Sequence, residues 1–526
     1  MKTTLLCLIA FVMLVLTAPV QAQFNFTANS DGTLNLSQYT GPGGDVIIPD
    51  TYNGLRVTTI GSDAFYQDYT VTSITMGTNV AAMGQNAIFH CTTLGSVTLP
   101  GGVTNIGLGP IIDCQSLTSI SFSASNQFYL TTNQILFNRA QTSLIEYPGG
   151  IGGSYTIAAA VTNVGEAFIG NSLTAIAVNP TNIYYSSTNG VLFNKNHSAL
   201  LEYPGAAAGN YAVPTNVVII GSAAFEYSTG LTGVSIGTNV TSIQLYAFYD
   251  CSALTNISVN STNLYYSTTN GVLFDKKQTD LIQYPSGLAG SYVVASTVTN
   301  LETGAFGDAF GLTSVVIPDS VKAIGSETFY SCENLGSVSI GNGVTSIGQN
   351  AFYFCTNLAD VVIPDSVTNI AAFAFYYCPA LASVTFGTGL AYLGQEAFGG
   401  CENLTNACFS GPEPTDGGSV FYYDLSLSTI DYVSGESGWG ATYDGFNTAP
   451  CPTCNNAAPE LTITRAGTKV VITWPSIFTG FTLQSATNLV SSAWVTVTPA
   501  PVVINDLYTV TNAASVKQTF YRLQGP

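Results

Sequence analysis

The feature that most constrains this chain is a step of 23 residues. Phe306, Phe329, Phe352, Phe375 and Phe398 stand 23 apart; Cys332, Cys355, Cys378 and Cys401 keep the same step, as do Leu312, Leu335, Leu358, Leu381 and Leu404. A period in the twenties marks one supersecondary unit per coil. No such unit buries its own apolar side, so the units must stack into a solenoid.

The stretch LTSVVIPDSVKAIGSETFYSCEN, beginning at Leu312, shows what one coil contains. Leu312, Val315 and Ile317 form a short strand with alternate residues inward. Pro318 ends it, because proline cannot donate to a ladder, and Asp319-Ser320 suits a turn. Val321 and Ile324 point back to the core, and Gly325 permits a corner. Thr328, Phe329 and Cys332 have the i, i+1, i+4 spacing of one short helical turn with a buried inner face. The expected order is strand, corner, short helical turn, return.

I-P-D-S-V, I-G and A-F-x-x-C occur together at this spacing, and in that they resemble the BspA-like leucine-rich repeat family. The resemblance implies a leucine-rich repeat solenoid with a parallel β-sheet on one side and short helical turns on the other. It also implies an exported or surface-displayed protein, often one involved in attachment.

Met1 to Ala22 reads as a secretory signal: Lys2, an apolar run from Leu5 to Leu16, then Val20 and Ala22 as small residues before cleavage at Gln23. The run is short for a membrane span, so no membrane insertion is expected after cleavage. Residues 23–60 form a cap and first coil, with Phe24, Phe26, Leu34 and Leu36 flanking the turn Asn29-Ser-Asp-Gly32 as a hairpin. The solenoid should occupy 61–447. Phe65, Ile88 and Ile111 start the phenylalanine column; Cys91 and Cys114 start the cysteine column.

Between about 121 and 305 the rhythm is broken by three insertions, QILFNRAQTSLIEYP, GVLFNKNHSALLEYP and GVLFDKKQTDLIQYP. Each reads as strand, polar tip, strand, and therefore as a hairpin on the rim. They also resemble an insertion common in the same family. Two follow Thr-Asn-Gly, at 188–190 and 269–271, and the first follows Thr-Asn-Gln at 132–134. Residues 406–447 resemble the family's closing coil, sealed by Gly438-Trp439. A linker is expected at 448–459. Six alternating segments from 460 to 526 then suggest a small C-terminal all-β sandwich, anchored by Trp474 and Trp494.

Chemistry is sparse. Only 8% of residues are charged, so the solvated face must be built from Ser, Thr, Asn, Gly and Tyr. The net charge of −19 and the lack of any basic cluster disfavour nucleic acid, because phosphate binding needs grouped Lys and Arg. Export suggests disulfides, yet the column cysteines share the inward phase of the phenylalanines and read as buried thiols. Cys451 and Cys454 differ: they lie in a polar stretch and suit a local disulfide, with Cys408 as an alternative partner for one of them. No cofactor or metal set is apparent. His90 is expected to be exposed, His197 lies in a hairpin tip, and the carboxylates form no pair recognisable by spacing.

The residue after each buried phenylalanine should point outward, and it is often aromatic: Tyr66, Phe89, Tyr249, Tyr330, Tyr353 and Tyr376. Tyr330, Tyr353 and Tyr376 form a ladder over three consecutive coils, thickened by Phe354 and Tyr377. These five are the candidate ligand-binding residues, since tyrosine joins an apolar face to a hydroxyl; the alternative is that the rings only pack on one another. A second candidate surface is the outward row of the sheet, including Ser73, Thr75, Ser96, Thr98, Ser119, Ser121, Ser337 and Ser339. The sequence favours a secreted or cell-surface recognition or adhesion protein without enzymatic activity, binding a protein or glycan. An envelope or matrix scaffold is the alternative, and a hydrolase the third.

Overall fold

In the computed structural model the 23-residue step becomes a stack of coils. The structure describes residues 23–451 and, beyond them, 461–466, 469–475, 482–486, 494–498, 500–504, 507–513 and 520–524. The expected secretory signal and residues 452–459 of the expected linker, with Cys454, lie outside the described residues. The chain divides into two units. The first holds the described residues through Leu288 together with Gly304–Ala309; the second holds Ala289–Thr303 and the described residues from Phe310 onward.

In the first unit the starting hairpin is present, with Phe24–Ala28 antiparallel to Leu34–Tyr39. Leu34–Tyr39 then pairs in parallel with Leu55–Ile60, which pairs with Ala82–Met83, and that strand with Asn105–Ile106. A second parallel sheet stacks Gly44–Ile47, Val71–Thr75, Ser96–Leu99 and Ser119–Phe122, and a third ladder joins Phe65–Tyr66, Ile88–Phe89 and Ile111–Ile112. Each of these first coils thus contributes three short strands at three corners.

The second unit keeps two of these ladders and has tight turns at the third corner. Ala323–Ile324, Ser346–Ile347, Asn369–Ile370, Tyr392–Leu393 and Thr415–Asp416 run parallel, with Ile324, Ile347, Ile370 and Leu393 in one register row. Asp360–Ile363, Ser383–Phe386, Asn406–Phe409, Thr429–Val433 and Phe446–Cys451 form another sheet. The expected linker therefore begins later than 448, since 448–451 are paired strand. Behind the strands the phenylalanines make one continuous stack. Ring centroids lie 5.0 Å apart for Phe329–Phe352, 4.8 Å for Phe352–Phe375 and 4.8 Å for Phe375–Phe398. That spacing is the distance between strands of a sheet, about 4.8 Å. The Asp of I-P-D-S-V ties successive coils: Asp319 accepts the Asn342 amide at 2.7 Å and Asp365 the Thr388 amide at 2.7 Å.

The expected helical turn is not formed, and the described residues contain no helix. Around Phe352, alternate amides leave the coil: those of Asn350, Phe352 and Phe354 donate to the carbonyls of Ala372, Ala374 and Tyr376. Ala351, Tyr353 and Cys355 donate three residues back, to Gly348, Asn350 and Phe352. A helix needs every amide to bond four residues back within its own segment, and here half of them serve the neighbouring coil. Asn350 and Phe354 accordingly take left-handed φ of 55° and 60°. The i, i+1, i+4 spacing buries the same residues either way, which is why the sequence could not separate the two forms.

Each insertion contains the expected hairpin and a further strand ahead of it. In the middle one Tyr185–Thr188, Val191–Asn194 and Ala199–Glu202 form an antiparallel meander. Its first turn, Asn189-Gly190, has φ of 52° and 80°, as a two-residue hairpin turn requires. A buried asparagine ties each insertion down. Asn182 Nδ2 donates to Ala158 O and Val161 O, while its Oδ1 accepts the Tyr184 and Tyr185 amides; Asn126 and Asn263 repeat this pattern.

At the end of the solenoid Trp439 stacks on Tyr432 at 5.0 Å, touches Phe409, and donates its ring N–H to Gly411 O at 3.0 Å. The C-terminal residues pair antiparallel in two sheets. One joins Thr462–Ala466, Lys469–Pro475, Leu507–Ala513 and Val502–Ile504; the other joins Val495–Thr496, Thr482–Ala486 and Phe520–Gln524. Ile472, Trp474, Leu483, Val497 and Val510 are buried in one cluster, and the Arg522 guanidinium lies 4.5 Å over the Trp494 ring.

Candidate functional site

The tyrosine ladder exists. Tyr330 and Tyr353 stack at 5.2 Å with planes 1° apart, and Tyr353 and Tyr376 at 5.3 Å and 17°. Phe354 and Tyr377 form a parallel row at 4.5 Å. Stacking turns the ring faces toward each other, so the ladder presents edges to solvent. Tyr330, Tyr353, Tyr376 and Phe354 are half-buried, and Tyr377 is 40% exposed.

One coil further the ladder is interrupted by Gly399 and Gly400. A Cβ on Gly399 would come within 3.0 Å of Tyr376 Cε2, so the Tyr376 ring lies over this glycine. Burial, and then Glu396 and Tyr422, raise the Tyr376 hydroxyl's pKa above its ordinary value. The row resumes with Tyr422 and Tyr423, 48% and 64% exposed and perpendicular to one another. Sequence reasoning missed these two, although the signal was present: Phe421 continues the 23-residue column, and Asp424 replaces its cysteine.

In the first unit Tyr66 and Phe89 stack at 5.3 Å. Tyr249, expected outward, is buried. The cause lies in Gly304 and Gly307, whose missing side chains let the ring fold over the backbone; a Cβ on Gly307 would meet Tyr249 Cε2 at 2.4 Å.

The cysteine column consists of buried thiols. Cys355, Cys378 and Cys401 donate S–H to the carbonyls of Phe329, Phe352 and Phe375 at 3.2, 3.2 and 3.3 Å, and Cys251 does the same to Phe225 at 2.9 Å. Each thiol bonds a carbonyl of the preceding phenylalanine turn. Desolvation raises the pKa of Cys251, Cys355, Cys378 and Cys401, which keeps them unreactive. Cys408 is disulfide-bonded.

The position before the column cysteine brings together what spacing had not. His90 and Asp113 are in contact through Nδ1 and Oδ2, and the His90 side chain is only 28% exposed, so the expectation of an exposed histidine fails. Asp250, Asp308 and Glu226 lie in the same electrostatic neighbourhood, around the buried Tyr227. Burial, then Asp113, pushes the Asp250 carboxyl up to about 7. Burial, then Asp250, holds Asp308 well above the carboxylate range, although a hydrogen bond with Tyr249 opposes this. Asp250 can therefore hold a proton near neutrality. Insertions of irregular length separate these groups in sequence, which hid the column. Among the described residues, no three His, Cys, Asp or Glu side chains are placed to hold a metal ion.

The hydroxyl row of the sheet is in register, with Ser73, Ser96 and Ser119 as partners and Thr98 Oγ1 3.3 Å from Ser121 Oγ.

A BspA-type leucine-rich repeat region, in 6 copies, matches residues 58–188, 207–289 and 284–405. No curated protein matches the chain in sequence. Among solved structures, it is similar to a leucine-rich cell surface protein from Faecalibacterium prausnitzii A2-165, with 25% identity over 79% of this chain and 94% of that one and a TM-score of 0.36. A leucine-rich repeat protein from Eubacterium ventriosum is 21% identical over 78% and 82%, with a TM-score of 0.33. The pneumococcal vaccine antigen PcpA is 17% identical over 78% and 92%, with a TM-score of 0.37.

Proposed function

This chain belongs to the BspA-type leucine-rich repeat family, and from that premise we propose that it is an exported, non-enzymatic recognition protein, secreted or held at the cell surface. Its ligand is a protein or a glycan, taken up along the aromatic row of the second unit. The supporting observation is that row itself: Tyr330, Tyr353 and Tyr376 present their edges, and Tyr377, Tyr422 and Tyr423 are exposed next to them. Aromatic groups in line on a surface this poor in charge offer contact area at small conformational cost. The segment beyond residue 460 is read as a small β-sandwich appended to the solenoid.

Face-to-face stacking favours a second reading, in which the rings brace the coils of an envelope or matrix scaffold. Binding of the purified chain to arrays of host proteins and glycans separates the two. Changing Tyr330, Tyr353 and Tyr376 together to Ser should abolish attachment, while the corresponding Phe triple keeps the stack and removes only the hydroxyls. If attachment survives in a folded Ser triple, the row is structural, and the hydroxyl face of the sheet or the insertions become the candidates.

A further inference from the structure

We propose that the middle insertion of the first unit forms a binding pocket for a primary ammonium group on an apolar stem, with Glu202 as its anchor beside an apolar floor. The cavity measures about 230 Å³. Val164, Phe168, Leu192 and Leu201 supply apolar walls together with the Tyr185 ring, and the exposed Gly165, Ser222 and Gln244 stand at the mouth.

The backbone explains how Glu202 comes to line it. Leu192 pairs with Glu202 and Phe193 with Leu200, so Leu201 is an extra residue in its strand. In a regular strand, neighbours point to opposite faces; at this bulge Leu201 and Glu202 both line the cavity, the kind of re-aiming for which bulges are used. Glu202 is 7% exposed, and Asn171 Nδ2 donates to its Oε1 at 3.3 Å. Asn171 is itself fixed, accepting the Leu173 and Gly205 amides and donating to Phe168 O.

Charge selects the ligand class. Burial, then Glu226, raises the Glu202 carboxyl's pKa well above its ordinary range, and among the described residues no Lys or Arg lines the cavity. An anionic ligand would therefore find no counter-charge there. An ammonium would supply the counter-charge that lets this buried acid ionise and the donors its oxygens then need. A lysine side chain of another protein and a free alkylamine share this chemistry.

Calorimetry on the full chain distinguishes the sources, with n-butylammonium and a lysine-containing peptide as probes and butyrate and methyl glucoside as controls. The expected result is saturable binding of at least one ammonium probe and none of butyrate. The peptide binding more tightly assigns a protein partner; butylammonium binding more tightly assigns a free amine. Glu202→Gln should weaken binding about tenfold or more. The fold already accepts this side chain, because Gln283 holds the same bulge position in the third insertion, buried at 5%. Ser222→Trp, at the exposed mouth, should block entry independently. No saturable ammonium binding, equal affinity in Glu202→Gln, or a preference for methyl glucoside overturns the assignment.

Discussion

Phe352→Ala measures how the stack holds together. The ring is fully buried, with Phe329 at 5.0 Å and 11° on one face and Phe375 at 4.8 Å and 6° on the other. Truncating a buried phenylalanine costs about 3–5 kcal/mol. An aromatic pair is worth about 0.5–1.5 kcal/mol beyond its buried area, and two are lost here, which places the change near about 5 kcal/mol. Phe421 is the comparison within the molecule. It is equally buried, but its ring stands 5.8 Å and 26° from Phe398 and edge-on to Phe446 at 6.1 Å. Phe421→Ala should cost nearer about 3 kcal/mol. Urea unfolding followed by circular dichroism gives both values, and hydrogen exchange locates the loss. Because coils couple mainly to their neighbours, the amides of 327–332 and 373–378 should lose protection first. A Phe352→Ala cost below that of Phe421→Ala, or a loss of protection spread evenly over the second unit, would refute the reasoning.

Three further outcomes follow from single groups. Asn182→Ala removes four hydrogen bonds between a fully buried side chain and the backbone and should destabilise the middle insertion by about 3–5 kcal/mol, read by proteolysis of 183–202. Asp250 has a folded-state pKa raised from 3.8 to about 7. Between those values the folded state keeps a proton that the unfolded state has lost, so this group's contribution to stability falls as pH rises through the window and is level above it. Asp113 and His90 act on this carboxyl, and Asp250→Asn should flatten Tm against pH there and raise Tm at the alkaline end; an unchanged slope is the contrary result. Thiol labelling of the unreduced chain should modify Cys355, Cys378 and Cys401 only after denaturation and leave Cys408 unmodified, as mass spectrometry can show; a bridge within the column contradicts this.

The solenoid was legible because its determinants repeat. A buried phenylalanine and a small inward cysteine recur every 23 residues from Phe329 to Cys401, with Pro318 and Pro364 at strand ends in alternate coils, so successive copies repeat the same information. The local form of the A-F-x-x-C segment was not legible. Phe329 and Cys332 are buried in a helical turn or in a run of tight turns alike, and the choice rests on where alternate amides go. Nothing in one coil's side chains announces that Asn350, Phe352 and Phe354 will donate to the next coil. The repeated Asn182 position was visible as an Asn three residues before a tyrosine in each insertion, but its four hydrogen bonds depend on a neighbouring coil that sequence spacing does not place.

The candidate sites divide along the same line. Tyr330, Tyr353 and Tyr376 could be aligned from the sequence, because uninterrupted coils keep their register and a residue number converts directly into a height on the stack. What the rings do with their faces could not, since it depends on the absence of side chains one coil further on. Gly399 lets Tyr376 lie over backbone, and Gly307 does the same for Tyr249 to the point of burying it. In the first unit, insertions break the conversion from number to height. Asp113 and Asp250 are far apart in sequence and of different phase by simple counting, yet they act on one another across the turn column. The cavity beside Glu202 arises likewise from an extra residue, Leu201, whose presence shows only when both strands of the hairpin are placed. Register is thus what the repeat encodes, and this protein's distinctive chemistry sits where the repeat departs from its own pattern: where glycines replace side chains, at insertions and at the bulge.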